Sequence, residues 1–368
     1  MLVEVDDLVI TGTAEMIEEL RKKLDDTYNI TQFEPINSFL GINIEYDQKN
    51  GTLSMDVASK IHAMFAEKPM IQNPGRSNIP LLITLPDNKR DTNDALLNYL
   101  SDPKNYASIV GICIYLSITC RPDISHAVGR CPRGMHNPTK EHTLMLRTLI
   151  QYLNGARNYK LVFSRYEPPI IKHLELYAEK DKTILSLFKI AKSKWLSNKE
   201  DVPFDPVFGN TDADYVSKFE DSRKSTSGYC FFAWHNICCW KSKLQPILAT
   251  STHEAELIAL NSAAQEAIWL RNLISEINYA ITGKLTDLPP THIFCDNLGA
   301  CHTANNPKSS GSSKHIEIRY LKIREYQQDS KLVVKHVDGT KNTADMFTKP
   351  LANPQHQAYC KAIGMQLT

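Results

Sequence analysis

The sequence predicts two kinds of architecture in one chain: an α+β part in the first half and an α/β part in the second, with a mixed sheet flanked by helices. Three observations predict this. In the second half, three consecutive strand patterns precede a long amphipathic helix and then alternating strands and helices, in the order βββαβααβα. Residues 1–70 read as ββαββα. Between the two lies an apolar helical region, followed by a stretch bounded by Pro168-Pro169 and Pro203 that fits neither pattern.

The elements follow in order. Leu2–Thr11 reads as a tight hairpin with Asp6 and Asp7 at its tip. Met16, Ile17, Leu20 and Leu24 recur at helical spacing, which predicts a helix over Ala14–Asp26. Phe39–Tyr46 alternates as a strand, and Asn50-Gly51 turns it into a second strand from Leu53. A helix over Ala58–Phe65 follows. Asn73–Asp94, rich in Pro, Asn and Asp, reads as a loop. Helices are expected at Tyr106–Thr119, Ile124–Met135 and Lys140–Leu153, the first ending before Arg121-Pro122. Glu167–Asp205 reads as a linker or insertion with an amphipathic helix at Ile184–Trp195.

Val207–Asp214, Gly228–Trp234 and Ile237–Lys241 read as three strands, and His253–Ile277 as a long helix with Trp269 in its core. Thr291–Asp296 is a strand, Leu298–Asn305 a short helix, Ile316–Gln328 a helix and Lys331–Val337 a strand. Asn342–Lys349 is a short helix stopped by Pro350. The domain boundaries are therefore 1–70, 71–165, 166–205 and 206–355, with a tail at 356–368.

Composition excludes some classes. Over 368 residues the apolar content is 42%, the charged content 23% and the net charge +1, all ordinary for globular protein. The nine cysteines form no C-x-x-C pair, which argues for reduced thiols and against a zinc site. No secretory signal and no apolar run of bilayer length are present, so no membrane association is expected. A cytoplasmic location with nuclear access fits.

Four acids in the second half sit where such sheets gather chemistry. Asp212 lies near the end of the first strand, Asp296 ends a later one, Glu256 lies near the start of the long helix, and Asp345 lies in a first turn that Asn342 can cap. Asp212 and Asp214 share a strand face, so periodicity leaves both open. Glu254 and Glu256 differ by two helical steps and point nearly opposite ways. Glu256 borders the sheet-facing stripe of Leu257, Leu260, Ala264 and Ile268 and is the better candidate. Carboxylates gathered in this way suit Mg²⁺ or Mn²⁺, which take oxygen ligands. Lys241, Lys243 and Gln245 are candidates for contact with nucleic acid, and a solvated strand edge explains them equally well; Lys314 and His315 are further candidates, with an ordinary surface histidine the stronger reading of His315.

Several separated blocks resemble the ribonuclease H domain of copia-type retrotransposon polyproteins: TDADYVSKFEDSRKSTSGYCFFAW, WKSKLQPILATSTHEAELIALNSAAQEAIWLRNLI, IFCDNLGACHTANNP, and KHIEIRYLKIRE followed by ADMFTKPL. In the first half, VEVDDLVITG, FLGINIEYDQKNGTLS, SIVGICIYLSITCRPDISHAV and EHTLMLRTLIQYLNG resemble the end of the same family's reverse transcriptase. The resemblance implies a ribonuclease H-like fold after a partial reverse-transcriptase palm and a helical thumb or connection. It places the catalytic, metal-holding carboxylates at Asp212, Glu256, Asp296 and Asp345. It implies hydrolysis of the RNA strand of RNA–DNA hybrids with two Mg²⁺ or Mn²⁺ ions, and the remainder of a Pol polyprotein as a partner.

Asp6 and Asp7 would be a polymerase remnant, since the family's third aspartate lies on an earlier strand, and no DNA synthesis by this chain alone is expected. Departures from the family pattern at Glu4, Cys120, Thr143, Ser312 and Ser313 favour a rival, a non-enzymatic relic with weak nucleic-acid binding. The four retained carboxylates favour the enzyme.

Overall fold

A computed structural model of the chain describes residues 2–4, 7–28, 33–84, 94–165, 170, 207–216, 223–285, 287–306 and 322–367. Of the insertion expected at Glu167–Asp205, only Ile170 falls among them, and the helix expected at Ile184–Trp195 lies outside.

The first body begins with a two-stranded hairpin, β1 (Leu2–Glu4) and β2 (Asp7–Val9), paired from Leu2↔Val9 to Glu4↔Asp7. Helix α1 (Ala14–Asp25) follows, capped by the Thr13 hydroxyl. The single strand expected at Phe39–Tyr46 is two: β3 (Ser38–Phe39) and β4 (Ile42–Asp47) pair antiparallel across Leu40-Gly41. Both turn residues take positive φ, 51° and 79°, a conformation glycine adopts freely, and alternation alone does not reveal that turn. Strand β5 (Thr52–Asp56) and helix α2 (Ala58–Glu67) come next.

Four helices build most of this body's core: α3 (Ala95–Leu100), α4 (Pro103–Thr119), α5 (Ser125–Arg130) and α6 (Lys140–Gly155). Helix α3 was not expected. The helix expected at Ile124–Met135 breaks after one and a half turns, and 3₁₀ turns flank it at Pro122–Ile124 and Cys131–Gly134, because neither proline can donate a helical hydrogen bond. One continuous cluster joins Ile61 and Phe65 of α2 to Ile109 of α4 and Leu146 and Leu149 of α6. The core therefore runs through the boundary expected near residue 70.

Strand β6 (Lys160–Ser164) adds to β5. The outermost strand of this sheet comes from the far end of the described residues. Strand β12 (Met365–Gln366) pairs antiparallel with β6, completing the order β12-β6-β5-β4-β3. Residues 356–367 are thus no tail: α10 (Asn353–Ala362) and β12 are ordered elements, and Tyr359, Ile363 and Met365 are buried.

The second body holds a mixed sheet ordered β11-β10-β7-β8-β9. Strands β7 (Phe208–Asp214), β8 (Thr226–Ala233) and β9 (Asn236–Leu244) are antiparallel. Strands β10 (Thr291–Cys295) and β11 (Leu332–His336) run parallel to β7. Helix α7 (Thr252–Thr282) lays Leu257, Leu260, Ala264 and Leu270 on one face, against Phe231, Ile293 and Val334. Helices α8 (Leu298–Asn305) and α9 (322–328) join β10 to β11. The other face of the sheet is covered by Met346, Phe347 and Tyr359, in a cluster that also takes Leu161 from β6.

That shared cluster ties the bodies together. Ser164 and Asn236 exchange two hydrogen bonds of 2.9 and 3.0 Å, and the Trp240 indole N–H donates to the Ser117 carbonyl at 2.8 Å. Trp269 is not in the core: it is 55% exposed, on a stripe with the exposed Leu273, Ile277 and Ile281. The outer face of a helix longer than its sheet stays in solvent whatever its composition.

Candidate active site

Strand β7 supplies Asp212, which is 2% exposed and pairs with Gly228 of β8. A Cβ at Gly228 would come within 3.1 Å of the Phe347 backbone and closer still to the Thr348 methyl. Glycine there lets the turn at Thr343–Phe347 lie directly on the sheet, and that turn carries Asp345. The sequence predicted a short helix at Asn342–Lys349. It is a 3₁₀ turn, capped as expected by Asn342, whose Oδ1 accepts from Ala344 N at 3.1 Å. The Asn342 amide donates to the Thr211 carbonyl at 2.9 Å, fixing the turn to β7 beside Asp212.

Glu256 enters from the first turns of α7 and Asp296 from the end of β10. The Asp212, Asp296 and Asp345 oxygen atoms lie within 4.8 Å of one another, and so do the ligand atoms of Glu256, Cys295 and Asp296. Four segments distant in sequence thus meet around Asp296. Asp214, the open alternative to Asp212, belongs to neither grouping. Glu254, the alternative to Glu256, does other work: its Oε2 accepts from Thr250 N and Oγ1 at 2.7 and 2.6 Å, ahead of α7.

The electrostatics follow from crowding. Burial, then Asp212 and Asp296, push the Glu256 carboxyl up to about 9. Burial and Asp212 push Asp345 up to about 7, and the same two causes raise Asp296. One cation stands inside the cluster. The Lys349 ammonium lies 2.9 Å from Asp345 Oδ1 and 3.8 Å from Asp212 Oδ2. Burial would lower its affinity for protons, but Asp212 and Asp345 outweigh burial and raise it. Thr348 donates its hydroxyl to Asp212 Oδ2 and to the Asp345 carbonyl.

These residues fit a divalent cation. The donors are mostly hard carboxylate oxygens, crowded closely enough to hold protons they would ordinarily lose, and a cation shared among them relieves that repulsion.

The other candidates separate. Lys241 and Lys243 are exposed on the edge strand β9, on the far side of β8 from Asp212, with the Lys241 ammonium 5.9 Å from the Tyr229 ring. Gln245 is a correction: it is 2% exposed, and its amide donates to Ser227 Oγ and the Ala255 carbonyl at 2.8 and 2.9 Å. It braces β8 and the start of α7 and is closed to a solute. Lys314, His315 and Asp6 lie outside the described residues, as does the side chain of Asp7, whose backbone is in β2. Sequence reasoning missed Thr348 and Lys349. A lysine four residues after Asp345 was the available signal, since that spacing brings side chains together on a helical turn. It also missed His336, whose ring lies 3.1 Å from the Asp296 carbonyl.

No family model matches the chain. The chain is 30% identical over 371 residues to a retrovirus-related Pol polyprotein from transposon RE1 of Arabidopsis thaliana, covering 99% of this chain and 21% of that one. It is 28% identical over 369 residues to the corresponding polyprotein from transposon TNT 1-94 of Nicotiana tabacum, covering 99% and 24%. The chain thus spans about a fifth to a quarter of the length of the curated relatives it matches. Among solved structures, ribonuclease H1 of Halobacterium salinarum overlaps 39% of this chain and 94% of its own, with 14% identity and a TM-score of 0.29; an overlap that loose carries no argument.

Proposed function

From the premise that this chain is related over nearly its whole length to copia-type retrotransposon Pol polyproteins, we propose that its second body is a nuclease of the ribonuclease H type, hydrolysing the RNA strand of RNA–DNA hybrids. One observation carries the reading: Asp212, Glu256, Asp296 and Asp345, from four separate segments, form two close groups that share the half-buried Asp296. Asp212, Asp296 and Asp345 would hold one Mg²⁺ or Mn²⁺ ion, and Glu256 with Asp296 a second. Bound divalent ions would activate a water and stabilise the leaving oxygen of the phosphodiester. The chain's own residues orient that chemistry. Thr348 fixes the Asp212 carboxylate, the Asn342 cap fixes the turn bearing Asp345, and the buried core beneath β7 and β10 keeps the ligands from spreading. The hybrid would be read through its backbone and 2′-hydroxyls, with Lys241 and Lys243 at the rim.

In the first body, the hairpin and the β3–β5 sheet would correspond to the end of a polymerase palm, inactive here in DNA synthesis. The protein would act in the cytoplasm with access to the nucleus, within or beside a longer polyprotein. Among the described residues no helix is long and apolar enough to cross a membrane.

The test is the full chain incubated with a hybrid labelled in its RNA strand, with Mg²⁺ and with chelator. Metal-dependent cleavage lost in Asp296→Asn is expected. Inactivity of the unaltered chain, or equal activity in Asp296→Asn, would sink the reading and favour the relic. Template-directed nucleotide incorporation by the chain would overturn the inactive polymerase.

A further inference from the structure

Lys349 is tied down at its backbone and directed inward at its head. Its N–H donates to the Asp345 carbonyl at 3.1 Å, continuing the turn by one residue, and Pro350 ends it. The side chain is 38% exposed, yet its ammonium contacts carboxylates that are 3% and 6% exposed. Among the described residues no other ion pair reaches Asp212 or Asp345. A surface lysine of ordinary kind would leave its head in water; this one spans the two acids from which a metal site would draw its ligands.

We propose that Lys349 is a built-in counter-cation: it holds Asp212 and Asp345 together when no divalent ion is bound and must be displaced for one to bind, so that it tunes the site's metal affinity. This rests on the metal-site reading above. The ammonium and a divalent ion draw on the same oxygens, and two cations a few ångströms apart repel. Binding of metal therefore costs the lysine its partners. With 38% of the side chain already in solvent, the head has a path outward, where it would face the phosphate backbone of a strand laid over the site.

The experiment uses the full chain and two variants, Lys349→Met and Lys349→Arg, melted in chelator and across a Mg²⁺ titration, so that the readout needs no substrate. Lys349→Met is expected to melt about 3 °C or more lower in chelator. It should also respond to Mg²⁺ at a concentration about tenfold lower than the unaltered chain, with a larger total shift. Lys349→Arg keeps the charge and should melt in chelator as the unaltered chain does. Equal melting of all three in chelator with equal Mg²⁺ midpoints would overturn the proposal, as would a higher midpoint in Lys349→Met. If Lys349→Met does not fold in chelator but folds on adding Mg²⁺, the proposal stands. If it folds in neither, Lys349→Arg decides: native-like melting upholds the charge, and failure assigns the lysine a packing role instead. A lower melting temperature for Lys349→Met with no Mg²⁺ response in any of the three would overturn the metal site itself while upholding the counter-ion.

Discussion

In the first body, Arg121 and Asp123 are wholly buried and meet at 2.7 and 2.9 Å; in the second, Asp212, Glu256, Asp296 and Asp345 crowd together around one lysine. The first set is satisfied throughout. Arg121 also donates to the Ala156 carbonyl, and the Tyr152 hydroxyl donates to Asp123. Burial alone would raise the Asp123 carboxyl, but the Arg121 guanidinium outweighs it and holds the group below its usual range. In the second set burial is not outweighed at Glu256, Asp296 or Asp345, and those three rise. The difference teaches what each set is for. Matched buried charge fixes an architecture, here the junction of α4, α6 and α10, where His356 meets the Asp123 carbonyl. Unmatched buried charge is strain that a ligand can relieve.

The contrast is broken most directly at Arg121. Arg121→Met leaves Asp123 buried without its partner and should cost about 3–5 kcal/mol in urea denaturation; a loss under about 1 kcal/mol would show that the pair is replaceable.

The opposite sign is expected in the second body. Asp345→Asn removes one repelling carboxyl and should stabilise the metal-free chain, on the order of 1–2 kcal/mol, while abolishing cleavage. Destabilisation would mean that Lys349 needs both acids.

Acidity sharpens the comparison further. A carboxyl raised in the folded state contributes full stability below its unfolded value and loses it as pH rises through its folded value. For Glu256 that window runs from 4.5 to about 9, so the metal-free chain should melt progressively lower as pH rises across it, and saturating Mg²⁺ should flatten the trend. In the first body, burial and then Arg130 lower His126 from 6.5 to about 3. Its folded form binds fewer protons than the unfolded chain, so stability is full above 6.5 and is lost as pH falls toward 3. Melting curves with and without Mg²⁺ should separate the two limbs, because only the alkaline limb responds to metal.

The smallest effect belongs to neither set. Trp269→Gln, on the exposed face of α7, should change stability by less than about 0.5 kcal/mol; a larger loss would show that the stripe has a partner.

Much of the second body was legible because each of its signals is local. The strand alternation, the long helix and the two-step choice of Glu256 over Glu254 depend only on spacing. Asp345 was legible through its cap. Gln245 was misread because its burial depends on where α7 begins relative to β8, which no window of sequence contains. Trp269 was misread because helical periodicity marks an apolar stripe without saying how far the sheet beneath it extends. Lys349 was read only as the end of a short helix, and its meaning appears only when β7 is brought beside it. In the first body, α3, β6 and β12 were missed. Each is short, and β6 and β12 owe their existence to pairing with distant residues.

The pairing of Met365 with Leu161 has a consequence in the order of synthesis. A ribosome releases β6 long before β12, with the whole second body made in between. Until β12 arrives, β6 presents an unpaired edge, and Leu161, 1% exposed in the finished chain, lacks the covering residues of α10. The first body therefore cannot be completed ahead of the second. The nascent chain must hold an open apolar edge through that interval, which is when chaperones or aggregation would compete for it.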